Sequence, residues 1–129
     1  MIMAAKYKVL VADDSTIVRQ HLVAMLSEIE QVQLVAEADD IDATLESVRT
    51  LHPDLVVLDI QMPGGNGINA LKDIKRDYPE TRVIMLTNHT NSFYRDTCMQ
   101  AGADSFLDKS IEFEQVPDVL LQLMMPGQA

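Results

Sequence analysis

Five apolar runs of strand length, each followed by a segment of helical period, constrain this chain more than any other feature. The runs lie at 9–12, 34–36, 55–58, 83–86 and, more weakly, 105–107. Between them, 17–29 carries Val18, Leu22, Met25, Leu26 and Ile29 on one stripe, 42–51 carries Leu45 and Val48, and 68–78 carries Leu71, Ile74 and Tyr78. That spacing puts each apolar set on one helical face, so each segment can cover a sheet. A fourth helix is expected over 92–101, stopped by Gly102, and a fifth over 113–125, stopped by Pro126 and Gly127. Pro117 fits the fifth only if that helix begins within about one turn before it, which leaves its start open. Strict strand-helix alternation argues for an α/β fold: a doubly wound, five-stranded parallel sheet with five helices on its two faces, joined by right-handed crossovers.

A length of 129 residues suits one domain spanning 1–129, with a core over about 6–125 and short flexible termini. Twenty acidic against ten basic residues give a formal charge of −10, which repels phosphate backbones and anionic lipid, so neither direct nucleic-acid binding nor membrane association is expected. No basic-then-apolar leader opens the chain, and a cytoplasmic location is expected. Cys98, the single cysteine, reads as a half-buried helix thiol without redox chemistry. His21 and His52 have no partner at metal-ligand spacing and read as surface residues. Met25, Met85, Met124 and Met125 read as core filling.

The stretch "LVVLDIQMPGGNG" at 55–67 drives Asp59 to the end of a fully apolar run and then breaks into Pro63, Gly64, Gly65 and Gly67. A carboxylate at such a strand mouth is expected to be on display. The first strand ends similarly, in Asp13 and Asp14. In an open parallel sheet of order 2-1-3-4-5, the ligand site lies beyond the carboxyl ends of strands one and three, so three carboxylates would converge there. Either Asp14 or Ser15 could instead serve as a helix cap, but capping does not explain the third carboxylate. Clustered like charges are costly until a hard divalent cation joins them, and Mg²⁺ is the natural guest. Thr87 ends the fourth run and Lys109 follows the fifth. A hydroxyl and a cation beside an acidic metal cluster suit phosphoryl transfer to a carboxylate, with Asp59 the best nucleophile.

These residues resemble the receiver domain of bacterial two-component response regulators over essentially the whole chain, a flavodoxin-like fold. The likeness rests on the acidic pair, on Asp59 followed by Met62, Pro63 and Gly67, on Thr87, and on Phe106 three residues before Lys109. It implies that Asp59 accepts phosphate from a sensor histidine kinase or phosphotransfer protein. It also implies that Asp14, Asp59 and the Gln61 carbonyl bind Mg²⁺ directly, and Asp13 mainly through water. Thr87 and Phe106 would form a switch in which the Thr moves to the phosphoryl group and the aromatic turns inward. The output would go through the fourth helix, fifth strand and fifth helix, to a partner protein or a second copy. Like the family, the chain would act only in its own phosphorylation and dephosphorylation, not as an enzyme on another substrate.

Three departures stand out. Asn88 is larger than the family's Ala or Gly and is expected to narrow access to the site. Ser110 replaces a Pro commonly joined by a cis bond; a cis Lys109–Ser110 bond would cost roughly 2.5 to 4 kcal/mol, which leaves that geometry open. Gln61 and His89 occupy positions that tune phosphoryl lifetime in the family, so an altered lifetime is expected. Phe106 can also be read as plain core. An aspartate-nucleophile phosphatase would need an acid where Gln61 stands, and a flavodoxin-like electron carrier would set Asp13 and Asp14 against the flavin phosphate. The remaining alternatives are a phosphorylation-independent interaction module and a receiver cut from a longer DNA-binding regulator, the latter suggested by the likeness of "AGADSFLDKS" to receivers attached to helix-turn-helix effectors.

Overall fold

The strand mouths are positioned by a single parallel sheet. The structure, a computed structural model, describes residues 6–125. The sheet contains β1 (Tyr7–Ala12), β2 (Val32–Ala38), β3 (Leu55–Leu58), β4 (Arg82–Thr87) and β5 (Ser105–Asp108), in the spatial order β2-β1-β3-β4-β5. All four pairings are parallel. Five helices alternate with the strands: α1 (Thr16–Ser27), α2 (Ile41–Leu51), α3 (Gly67–Asp77), α4 (Ser92–Gln100) and α5 (Val116–Met124). The expected class and strand order are therefore those observed. The expected flexible termini and the stop at Pro126 and Gly127 lie outside the described residues.

The unbroken apolar runs are explained by burial on both faces of the sheet. Leu10, Ala12, Val56, Leu58, Val83, Met85 and Phe106 pack with α2, α3 and α4. Val9, Val11, Leu55, Val57, Ile84, Leu86 and Leu107 pack with α1 and α5 on the other side. Successive residues of one strand thus feed opposite cores, as the period-two geometry of a strand requires.

Element ends differ from the expectations where capping decides them. Ser15 caps α1, its Oγ accepting from Val18 N–H at 3.3 Å. The helix stops at Ser27, although Ile29 still packs on the core. Asp40 and Asn66 cap α2 and α3 and start each one residue earlier than the apolar pattern does. Strand β2 runs two residues longer at each end, because an edge strand keeps pairing where residues such as Gln33 and Glu37 face solvent. A 3₁₀ turn at Phe113–Gln115 precedes α5, which begins at Val116 and so puts Pro117 in its first turn. After β3 the chain makes a two-residue antiparallel ribbon, Gln61–Met62 with Gly65–Asn66, which the sequence reading took for a plain turn. Gly64, at φ 87°, supplies the left-handed residue of its tip.

Two side chains correct the reading by their burial. Cys98 is fully buried rather than half-buried, because it faces the core shared by α3 and α4. Met125 follows the last turn of α5 and is 55% exposed, so it fills no core. His21 and His52 are exposed as expected. Among the described residues no helix is long and apolar enough to cross a membrane.

Candidate functional site

Register brings the acids together. Ala12 pairs with Leu58 as the last residues of β1 and β3, so Asp13 and Asp59 leave the sheet side by side. Asp59 N–H donates to the Ala12 carbonyl at 3.2 Å, and Asp13 N–H to the Ala38 carbonyl at 3.0 Å. Asp14 follows at the start of the β1–α1 turn and is exposed. Each of Asp13, Asp14 and Asp59 offers a carboxylate oxygen, and these oxygens lie within 4.8 Å of one another.

Gly67 has a physical role in holding Asp59. A Cβ there would stand 2.0 Å from the Asp59 carbonyl oxygen and 2.7 Å from Ile60 Cα, a contact that backbone cannot relieve without moving. Gly67 N–H also donates to the Ile60 carbonyl at 2.6 Å. The start of α3 is thereby pressed against the residue that carries the carboxylate.

Asp59 is not on display. It is 6% exposed, because Lys109 reaches over from the end of β5. Lys109 N–H donates to the Thr87 carbonyl at 2.9 Å, and its Nζ donates to Asp13 Oδ2 at 2.5 Å and to Asp59 Oδ2 at 2.6 Å. Burial works against the charge of Lys109, but its hydrogen bonds to Asp13 and Asp59 outweigh it and hold its pKa above the ordinary lysine value. Burial raises the Asp13 carboxyl, opposed by the Lys109 hydrogen bond and by a Ser15 N–H bond of 2.8 Å. Two buried carboxylates thus share one lysine, and the third, Asp14, makes no ion pair with it. Asp59 Oδ1 is the one buried side-chain oxygen among the described residues without a hydrogen-bond partner. A buried carboxylate oxygen left unpartnered among like charges fits a hard divalent cation, and an all-oxygen donor set suits ions of the Mg²⁺ class rather than a softer metal.

The cleft above these groups has a volume of about 610 Å³, and its opposite wall includes Gln61, Asn88 and His89. Asn88 is exposed on that wall. His89 Nε2 and Gln61 Oε1 are 2.6 Å apart, so the two residues expected to tune lifetime are one hydrogen-bonded pair at the edge of the cleft. Thr87 is fully buried, and its Oγ1 accepts from His89 N–H at 3.1 Å. Phe106 is also buried, at 4% exposure on the adjacent strand, so the aromatic is already inward in this structure. The Lys109–Ser110 bond is trans. Ser110 ties the turn back to β5 through its N–H and hydroxyl, both donating to Asp108 Oδ1, at 2.8 and 2.6 Å.

Two cations escaped the sequence reading. Arg95 of α4 lies 4.7 Å over the Phe106 ring and donates to its carbonyl at 3.4 Å. Arg19 of α1 donates to the Asp13 carbonyl at 2.6 Å. Nothing in the sequence separates either from an ordinary surface arginine, since their partners are backbone atoms and a ring on other elements.

Comparison with known proteins agrees with this geometry. The model of the response regulator receiver domain matches residues 9–121. The response regulator GacA of Pseudomonas aeruginosa is 34% identical over 116 residues, covering 90% of this chain and 54% of that protein. The Fimbriae Z protein of Salmonella typhimurium is 31% identical, covering 90% and 55%. The chain therefore spans about half the length of the curated relatives it matches. Among solved structures, the response regulator domain of Thermotoga maritima CheB superposes with a TM-score of 0.82 at 34% identity, covering 92% of this chain and 94% of that one. The isolated receiver domain of Salmonella enterica RcsB, determined in the presence of a phosphomimetic, gives 0.87 at 29% identity, covering 92% and 88%.

Proposed function

The chain belongs to the response regulator receiver domains, and on that premise we propose that it is a Mg²⁺-dependent phosphoacceptor switch whose acceptor is Asp59. A carboxylate oxygen of Asp59 attacks the phosphorus of a phosphohistidine on a sensor kinase or phosphotransfer protein. The P–O bond forms as the P–N bond breaks, and the imidazole leaves with the electron pair. Asp13, Asp14, Asp59 and the Gln61 carbonyl would hold Mg²⁺, which when bound neutralises charge on the transferring oxygens. Lys109 supplies a fixed cation on the same side. Thr87, whose Oγ1 only accepts from His89 N–H, has its own hydroxyl hydrogen to donate to a phosphoryl oxygen when it turns to the site. Asn88 and the Gln61–His89 pair control water entry to the acyl phosphate.

We assign no turnover of a separate substrate. Output runs through the face of α4, β5 and α5, which contacts a partner protein or a second copy, and the chain works in the cytoplasm without itself binding nucleic acid. The single observation that carries the reading is Asp59: its Oδ1 is buried and unpartnered, its Oδ2 is held by Lys109, and two more carboxylates cluster with it. The test is intact mass after incubation with Mg²⁺ and acetyl phosphate. One phosphoryl group is expected on the wild type, and none on Asp59→Asn or after prior chelation of Mg²⁺. No addition to the wild type with either acetyl phosphate or phosphoramidate would favour a phosphorylation-independent interaction module.

A further inference from the structure

We propose that Arg19 is a positioning residue for the metal site, acting through the peptide bond between Asp13 and Asp14; the inference rests on the phosphoacceptor reading above. Arg19 sits one turn into α1, with a side chain only 13% exposed. Its guanidinium makes three contacts: Nη1 to the Asp13 carbonyl at 2.6 Å, Nε to Glu37 Oε1 on β2 at 3.2 Å, and Nη2 to Thr16 Oγ1 at 3.3 Å. A planar fork held at three points is a rigid donor, unlike a lysine ammonium.

The carbonyl it grips belongs to the peptide plane whose nitrogen is that of Asp14. The other side of Asp13 is fixed as well, by its N–H to Ala38 and its carboxylate to Ser15 N–H and Lys109. With the carbonyl also held, the peptide plane cannot rotate, and the direction in which Asp14 leaves the chain is set. Asp14 needs this more than its neighbours: it is exposed and no packing orients it, whereas Asp13 and Asp59 are buried at the ends of strands.

The sign of the effect separates this role from simple electrostatics. A cation near the site repels Mg²⁺, so if Arg19 acted by charge alone its removal would tighten binding. If it acts by orienting the acidic turn, its removal weakens binding. The experiment is calorimetric titration of Mg²⁺ alone into the wild type, Arg19→Met, Arg19→Lys and Glu37→Gln, with melting curves in the absence of Mg²⁺. Arg19→Met keeps the aliphatic stem and is expected to bind Mg²⁺ about tenfold more weakly, the lower end for a residue that orients ligands. Arg19→Lys, with one donor in place of the fork, is expected to be roughly two- to threefold weaker than wild type, and it serves alone if Arg19→Met does not fold. Glu37→Gln leaves the Asp13 contact intact and is expected to bind as wild type does. An unchanged or tighter Kd in either Arg19 variant overturns the inference, as does a loss in Glu37→Gln equal to that in Arg19→Met. A wild type that binds no Mg²⁺ overturns the reading beneath it, and the inference with it.

Discussion

The two ends of the sheet both hold charge that is at least partly buried, and they handle it in opposite ways. At the amino-terminal end, Asp104 is saturated. Its Oδ2 accepts from Val83 N–H and Lys75 Nζ, both at 2.8 Å, and its Oδ1 from Arg82 at 3.1 Å. Lys75 spends a second donor on the Thr81 carbonyl at 2.7 Å. Two cations serve one carboxylate there, and the nearby cleft, lined by His52, Asp54, Tyr78 and Thr81, is about 350 Å³. At the carboxyl-terminal end one lysine serves two of three clustered carboxylates, one buried oxygen has no partner, and the cleft is about 610 Å³. A network that satisfies every group stabilises a fold, whereas one that keeps a surplus of one sign is costly until a ligand of the other sign arrives. Charge alone does not mark a site; imbalance does.

Three variants sharpen or break that contrast. The largest effect is expected from Gly67→Ala, whose new Cβ meets the Asp59 carbonyl and has nowhere to go. Chemical denaturation should show a loss of about 3 kcal/mol, and acetyl phosphate should label the variant more slowly, because Asp59 is displaced. Next is Asp104→Ala, which strands Lys75 and the Val83 N–H; it should lose about 2 to 3 kcal/mol. Mg²⁺ should stabilise this variant as much as it does the wild type, about 1.4 kcal/mol at ten times Kd. Loss of that increment would mean that the two ends are coupled.

The smallest effect has the opposite sign. Burial raises the Asp13 pKa above its unfolded value of 3.8, so its carboxylate opposes folding at neutral pH, and the penalty fades as pH falls through the folded pKa. Asp13→Asn should therefore melt slightly higher than wild type at pH 7 without Mg²⁺, gain less on adding Mg²⁺, and lose its advantage near pH 3.8. A lower melting temperature at pH 7 would show that the surplus of carboxylate is not destabilising and would remove the contrast between the two ends.

Much of this was legible in the chain because the signals are local. An apolar run buried on both faces reads as a central parallel strand, and the stripe carrying Leu71 and Ile74 reads as a covering helix. Asp13, Asp14, Asp59, Thr87 and Lys109 stand out because each is a polar residue at the point where an apolar run ends. What was illegible depends on contacts between distant elements. The burial of Asp59 under Lys109 joins residues 50 apart, and the bond from Lys109 to Asp13 joins residues 96 apart. The inward position of Phe106, the Arg95 above it and the Gln61–His89 pair have the same character, as does the full burial of Cys98.

The sequence by itself determined the order of elements, which residues are apolar enough to form the sheet, and which acids end its strands, since period and capping act over a few residues. The tertiary structure decided the register that sets Asp13 beside Asp59, that one lysine is shared by two buried acids, and that Asp59 Oδ1 is left unpartnered. Those outcomes follow from how four crossovers and a final helix pack on one sheet, where the position of each side chain depends on the burial of all the others.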